Sequence, residues 1–338
     1  MYVSRTPTYE IDLALPEEER WSDVIAHELR AAMKITKQAR ADITSWLPGP
    51  LGAVAGGIFK KAYDLSGGRF SGEIEAWAEA LDMSPGLVTM LNCSYELSQI
   101  GAASPFACTA GVQWVNSLGM VHVRTLDWPL SAIGDATRLF RFRKGRHQFV
   151  VVGIVGFVGA LSGMVPGSYS LTINWAPPSG RPKFNFGPAF LLREVFEDCP
   201  SYDEAVYSLS RTAVSSPVFF TVCGAKKGQA CVIERTHTKY AIREMDDGPL
   251  VQGNHHVAQK FAANNQNEEL LEYSTERAEA LHDALTKLSD RATLESAAAC
   301  LDVEPVLNGD TYQQMVFQPK AGEVRVWRWV KDKPRSRA

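Results

Sequence analysis

The residues with reactive chemistry stand together at Cys108, Arg124 and Asp127. Cys108 lies between the small residues Ala107 and Thr109. Two β-prone runs follow it, Val112 to Val115 and Met120 to Val123, separated by Asn116-Ser117-Leu118-Gly119. Those residue types make a turn, so the stretch reads as a hairpin that starts at Cys108. A hairpin folds back, and the far end of its second strand returns beside the start of its first. Arg124 and Asp127, read as coming off the end of that second strand, are thereby brought to the thiol. A guanidinium there can lower a thiol pKa or orient a carboxylate, and a carboxylate can hold an ammonium group. No histidine adjoins Cys108, so a base must come from elsewhere in the chain. Alternatively it is the α-amine of Cys108 itself, freed by a cut in front of it, with a reference pKa of about 7.7–8.0. The plain alternative for these residues alone is a small buried cysteine and a surface ion pair of little value.

The rest of the chain bounds what can position this group. At 338 residues it can bury a large core, as one large domain or two ordinary ones. Its 35 basic and 38 acidic residues nearly balance, which gives no footprint for nucleic acid. The short basic run from Arg138 to His147 is interrupted by Leu139, Phe140 and Phe142 and reads as a strand with one wet face. The six cysteines (Cys93, Cys108, Cys199, Cys223, Cys231, Cys300) have no C-x-x-C spacing, and the histidines form no H-E-x-x-H, so neither a disulfide framework nor a metal site is expected. No cofactor is expected either, since no G-x-G-x-x-G or Walker loop is present. The most apolar run, Phe149 to Val165, is broken by four glycines and reads as two strands around a tight turn rather than a membrane span. The N-terminus has no apolar leader, which makes a cytoplasmic location the expectation.

Taken in order, Tyr9 to Leu13 alternates as a strand, and Trp21 to about Trp46 carries an apolar helical stripe. Leu51 to Tyr63 is a helix or a hairpin; its small apolar residues fit both. Glu73 to Leu81 is a short helix, and Ser84-Pro85 caps another running from Gly86 to about Gln99, followed by a loop over Gly101 to Pro105. The first 107 residues are therefore largely helical. From Cys108 the composition turns to strands as far as Ile173. Then come helices over Ala189 to Phe196 and Tyr202 to Leu209, and strands over Val218 to Met245. Gln252 to Val257 reads as extended, Glu268 to Leu288 and Ala292 to Leu301 as helices, and Tyr312 to Trp329 as a final hairpin. Helices, two groups of strands with helices between them, then strands again suit an α+β fold of antiparallel sheets stacked between helical layers.

With these residues in view, the chain resembles the N-terminal-nucleophile amidases. That family includes conjugated bile-acid hydrolase, penicillin V acylase, acid ceramidase and N-acylethanolamine acid amidase, and the likeness is strongest to the acid ceramidase branch. The resemblance is carried by Cys108-Thr109, the hairpin and Arg124-Thr125-Leu126-Asp127. It is carried also by Phe157 to Met164, Ser170-Leu171-Thr172-Ile173-Asn174, Cys231 to Arg235, Asn254, Pro305 to Asn308, and the opening Pro7 to Leu13 with Trp21. It covers nearly the full length. It implies a four-layer αββα fold with two stacked, mainly antiparallel sheets. It also implies residues 1–107 as a propeptide or α-subunit and 108–338 as the catalytic portion, together one compact domain. Cys108 is then the nucleophile and its freed α-amine the base, Asp127 fixes that amine, and Arg124 sits beside the thiolate. Asn254 donates its amide to the oxyanion, and Arg277 is the second arginine of the site; from the residues alone Asn174 serves either the oxyanion or an ordinary turn. Trp128 and Trp175 are expected to line the pocket. The implied activity is self-processed hydrolysis of long-chain N-acyl amines, ceramide or N-acylethanolamine type, through a thioester. Penicillin V acylase or bile-acid hydrolase activity is the alternative, and a noncatalytic lipid-binding protein is the rival of another class. The expected partner is a small N-acyl amide, with the two cleavage fragments staying associated and no stable membrane insertion. Two departures bear on substrate: His255-His256 stands where the family has Tyr-Asp, and the stretch from Asn254 to Arg277 is longer than in ceramidase and resembles penicillin-acyltransferase relatives.

Overall fold

Most of the central strands are buried on both faces, which places them between apolar layers. The computed structural model describes residues 2–3, 6–46, 50–65, 67–99, 107–179, 183 and 187–329. In chain order the strands are β1 (Tyr2–Val3), β2 (Thr8–Asp12), β3 (Ala107–Val115), β4 (Gly119–Asp127), β5 (Thr137–Lys144), β6 (His147–Ile154), β7 (Ser162–Val165) and β8 (Tyr169–Trp175). They continue as β9 (Val218–Gly224), β10 (Ala230–Arg235), β11 (Tyr240–Glu244), β12 (Leu250–Gln252), β13 (Thr311–Gln318) and β14 (Glu323–Trp329). The helices are α1 (Ser22–Trp46), α2 (Pro50–Leu65), α3 (Ser71–Ala80), α4 (Pro85–Asn92), α5 (Ser94–Gln99), α6 (Ile133–Ala136), α7 (Pro188–Asp198), α8 (Tyr202–Arg211), α9 (Glu268–Thr286) and α10 (Leu294–Ala299). One sheet runs β1-β14-β13-β4-β3-β12, the other β11-β10-β9-β8-β7-β6-β5-β2. Every pairing is antiparallel except β2 against β5.

The two sheets face each other across an apolar layer in which Val112 and Met120 meet Phe219 and Val232, and Met315 and Phe317 meet Val152 and Met164. On the far side of the first sheet, Val115, Val121 and Val123 pack under Leu281 and Leu285 of α9 and Leu294 of α10. On the far side of the second, α7 and α8 pack on β6 to β10, and Trp21 sets its ring edge-on to Phe140 and Phe142 of β5. The result is the expected αββα layering. Gly111 permits the tight seating of α9, because a Cβ there would lie 2.6 Å from Leu285 Cδ1.

Several local expectations needed correction. Arg124 and Asp127 do not follow the second strand; β4 continues through both, and the hairpin begins one residue earlier, at Ala107. The open stretch at Leu51 is the helix α2. The single helix expected from Gly86 to Gln99 is two, broken at Cys93. There the side chain of Asn92, the last residue of α4, donates to Val88 O at 3.0 Å and Gly156 O at 3.3 Å and accepts the Val158 N–H at 2.7 Å, a tertiary demand with no Gly or Pro to announce it. Of the extended stretch Gln252 to Val257 only Gln252 belongs to a strand, and the rest is loop. The loop expected over Gly101 to Pro105 lies outside the described residues. Ser84 caps α4 by accepting from Leu87 N, as expected.

The helical first part is fastened to the rest by buried charge. The Glu73 carboxylate of α3 accepts from Arg20 at 2.9 Å, Trp21 Nε1 at 2.6 Å, and both Nη atoms of Arg193 on α7 at 3.1 and 3.3 Å. Arg193, fully buried, also lies 4.0 Å over the Phe142 ring. Glu28 of α1 takes Arg138 of β5 and the Tyr9 hydroxyl.

Candidate active site

Register places the reactive residues. Cys108 pairs with Leu126, and Ala107 with Asp127, at the open end of the β3–β4 hairpin. Alternation along these strands sends Cys108, Ala110, His122, Arg124 and Leu126 toward the second sheet, and Thr109, Thr125 and Asp127 toward α9. Arg124 therefore bridges the sheets. Its Nη1 donates to Leu161 O at 2.8 Å and to Ser162 Oγ, and its Nη2 donates to Ile173 O and, at 3.2 Å, to Cys108 Sγ. His122, next along the same face, lies between Ser170 Oγ and Thr172 Oγ1; burial and Arg124 hold its pKa down at about 3, so it stays neutral and structural.

From the other side α9 delivers Arg277, wholly buried. Its Nη1 donates to Cys108 O at 3.0 Å and Thr109 Oγ1 at 2.8 Å, its Nη2 to Asn254 Oδ1 at 2.8 Å, and Asp127 Oδ2 lies 3.7 Å away. Asp127 accepts from Thr311 Oγ1 at 2.7 Å and Asn308 Nδ2 at 3.1 Å, so residues of the last hairpin and the loop before it fix the carboxylate. Asn254 Oδ1 also accepts the Cys108 N–H at 2.9 Å. Two N–H donors converge on that atom, which fixes it as the oxygen, and Nδ2 donates to Trp175 O at 2.8 Å. Asn174 Nδ2 donates to Cys108 O at 3.2 Å and to Gln252 O and Gly253 O.

All five residues expected in the site, Cys108, Arg124, Asp127, Asn254 and Arg277, thus meet around one backbone unit. Burial pushes the Cys108 thiol up, opposed by Arg124, reinforced by Asp127, and opposed again by Arg277. Burial also raises the Asp127 carboxyl, against Arg277 and its hydroxyl and amide donors. The thiol is therefore a poor spontaneous thiolate here and needs a base. Among the described residues no group of histidine, cysteine, aspartate and glutamate has the makings of a metal site.

Trp128, which follows Asp127, lines an apolar cavity of about 40 Å³ together with Ile35 and Ala39 of α1, Val88 and Leu91 of α4, and Phe157. Trp175 does not line it; its indole donates to Ser98 Oγ at 2.8 Å and its carbonyl serves Asn254. Sequence reasoning missed Tyr95 of α5, whose buried hydroxyl donates at 3.5 Å to Ile173 O, the carbonyl that also takes Arg124 Nη2, and sits in the field of Cys108 and Arg124. It also missed Thr311 and the contact of Asn308 with Asp127. Asn308 carried a signal, as part of the Pro305-Val306-Leu307-Asn308 match, whereas Tyr95 and Thr311 carried none.

The family model for acyl-coenzyme A:6-aminopenicillanic acid acyl-transferase matches residues 170–308. The chain is 26% identical over 278 residues to the acid ceramidase of Balaenoptera acutorostrata scammoni, covering 72% of this chain and 67% of that protein. It is 26% identical over 241 residues to the N-acylethanolamine-hydrolyzing acid amidase of Caenorhabditis elegans, covering 67% and 66%. The chain is thus similar to acid ceramidases and N-acylethanolamine-hydrolyzing acid amidases, and over less than half its length to the penicillin acyl-transferase model. About a third of each of those two relatives lies outside the match. A solved Caenorhabditis elegans N-acylethanolamine-hydrolyzing acid amidase ortholog superposes with a TM-score of 0.55 at 24% identity, over 66% of this chain and all of that one, which is a likeness of fold. The αββα layers, with the cysteine at the start of an inner strand, agree with that likeness of fold.

Proposed function

We propose that the protein is a self-processed cysteine amidohydrolase that cleaves the linear amide bond of long-chain N-acyl amines. The observation that carries this reading is the convergence on Cys108: Arg124 on its sulfur, Asn254 on its N–H, Arg277 and Asn174 on its carbonyl. In the uncut chain the Cys108 nitrogen is an amide and cannot serve as a base. Cleavage between Ala107 and Cys108 converts it to an α-amine whose pKa suits proton transfer near neutrality. Asp127, opposite Ala107 in register, is then the carboxylate that holds the amine. The amine takes the thiol proton as Sγ attacks the substrate carbonyl. The tetrahedral oxyanion is stabilised by backbone N–H groups and by the Asn254 amide, whose second Nδ2 hydrogen is free for it. One such donor is worth roughly 2.7–4 kcal/mol. Collapse passes the proton to the leaving amine and leaves a thioester on Cys108; water, activated by the same α-amine, releases the carboxylic acid.

The cavity lined by Trp128 is bounded by both parts of the chain and is apolar, which suits an acyl chain gaining about 0.8 kcal/mol per buried CH₂. At about 40 Å³ it must widen to admit one. Among the described residues no helix is long and apolar enough to cross a membrane. The match of residues 170–308 to a penicillin acyl-transferase model favours a second reading, hydrolysis of a penicillin side-chain amide.

Intact mass and denaturing electrophoresis test the first step: active protein should be two associated fragments, 1–107 and 108–338, and full activity in a wholly uncut chain overturns it. An acyl-chain series on one amine, run beside penicillin V and a glycine-conjugated bile acid, tests the substrate. If either of the latter exceeds a C12–C16 N-acylethanolamine or ceramide by about tenfold in kcat/KM, the long-chain reading is wrong; that ratio is about 1.4 kcal/mol of transition-state preference. Ligand binding without turnover, unchanged in Cys108→Ser, identifies a lipid-binding protein instead.

A further inference from the structure

Asn254 sits on an irregular loop, yet it must be held to within a fraction of an ångström of Cys108. What holds it from behind is Ser274, a fully buried residue one turn before Arg277 on α9. Its Oγ accepts the Asn254 backbone N–H at 2.6 Å and lies 2.8 Å from His255 Nδ1. The hydroxyl oxygen accepts from Asn254 through one of its two lone pairs, and the direction of its contact with His255 Nδ1 follows that histidine's tautomer. The approach is so close that a Cβ on Gly253 would lie 2.5 Å from Ser274 Oγ and 2.8 Å from Ser274 O, so only glycine fits before Asn254. Ser274 and Arg277 are spaced i and i+3 and share one face of α9. From it they grip the two ends of Asn254, Ser274 the backbone and Arg277 the side-chain oxygen. On the loop's far side, Glu234 accepts from His256 Nδ1 at 3.0 Å, Val257 N at 3.2 Å and Ala258 N at 2.9 Å, which anchors the loop but not Asn254 itself.

We propose that Ser274 is a positioning residue for amide hydrolysis, setting the height of Asn254 above Cys108 through the Asn254 N–H. The proposal rests on the amidase reading above. A structural filler at this position would need no hydroxyl; a positioning residue does, and its loss displaces Asn254 without disturbing the apolar core under α9.

Ser274→Ala, Ser274→Cys and His255→Ala, measured in the processed full-length protein, separate the possibilities. Ser274→Ala is expected to keep its fold and its KM within about threefold while kcat falls about 10- to 100-fold, the range that small misplacements of catalytic groups produce. Ser274→Cys, similar in shape but a weaker acceptor, should lie between, and His255→Ala should keep kcat within about threefold, since the bond to Asn254 is what matters. A readout free of turnover accompanies these: in nitrogen-15 spectra the Asn254 amide proton should exchange slowly in the wild type, and that signature should vanish in Ser274→Ala. An equally active Ser274→Ala beside an active wild type overturns the positioning role alone, as does a kcat loss with the Asn254 signature intact. A wild type that turns over no acyl amide while showing the slow Asn254 exchange overturns the amidase reading and the role built on it. Should Ser274→Ala fail to fold, full activity in Ser274→Cys refutes the proposal by itself.

Discussion

Glu73→Gln tests how the first part of the chain is held. All four contacts of the Glu73 carboxylate are with donors: Arg20 and Arg193 Nη2 at Oε1, Trp21 and Arg193 Nη1 at Oε2. An amide nitrogen at either position therefore sets N–H against N–H, and Arg193 keeps only Glu197, 2.8 Å from its Nε, as a carboxylate partner. Removing one member of a buried ion pair costs about 3–5 kcal/mol. With an unfolding entropy of roughly 2.1 cal/mol/K per residue, a chain of 338 residues has about 0.7 kcal/mol/K at its midpoint, so Tm should fall by about 4–7 °C. Differential scanning calorimetry reads this directly. Glu73→Met with Arg193→Met should cost less than the two single changes added, because no charge is then left buried alone. A Tm within about 1 °C of wild type for Glu73→Gln, or a double variant worse than the sum, refutes the claim that this carboxylate binds α3 to α7.

Cys108→Ala should remain one uncut chain with no turnover, and acyl transfer found on a serine or lysine in the wild type would exclude the thioester route. Because burial raises the native Asp127 pKa, its contribution to stability is full below the unfolded carboxylate range and is lost as pH rises through the native value. The Tm of wild type relative to Asp127→Asn should therefore decline as pH rises above the ordinary carboxylate value of about 3.9, and a gap that grows with pH contradicts the sign of that shift. Ala39→Phe fills the cavity beside Trp128; if two methylenes are excluded at about 0.8 kcal/mol each, kcat/KM for C12–C16 substrates should fall a little over tenfold, with short chains unaffected. An equal loss for all chain lengths moves the acyl site elsewhere.

What the sequence disclosed follows the range of the forces involved. The hairpin that joins Cys108 to Arg124 and Asp127 is local, and its turn and alternation are written in nineteen consecutive residues, Thr109 to Asp127. Asn254 and Arg277 lie far along the chain, and they were found by resemblance, not by pattern. Tyr95, Thr311 and Ser274 enter the site only because α5, the last hairpin and α9 dock where they do, and no local spacing encodes a docking. The break at Cys93 is of the same kind, since the side chain of Asn92 at the end of α4 binds the backbone of Gly156 and Val158.

The strand pairing has one further consequence. At one end of each sheet the outermost strand comes from the first few residues of the chain: β1 on β14, and β2 on β5. These short pieces close off two rows of backbone donors and acceptors that would otherwise template pairing with another molecule. Fragment 108–338, made without its partner segment, would present β5 and β14 bare. It should self-associate through those edges even if its sheets form, so the opening residues act as a built-in guard against aggregation, separate from any part they play in the chemistry.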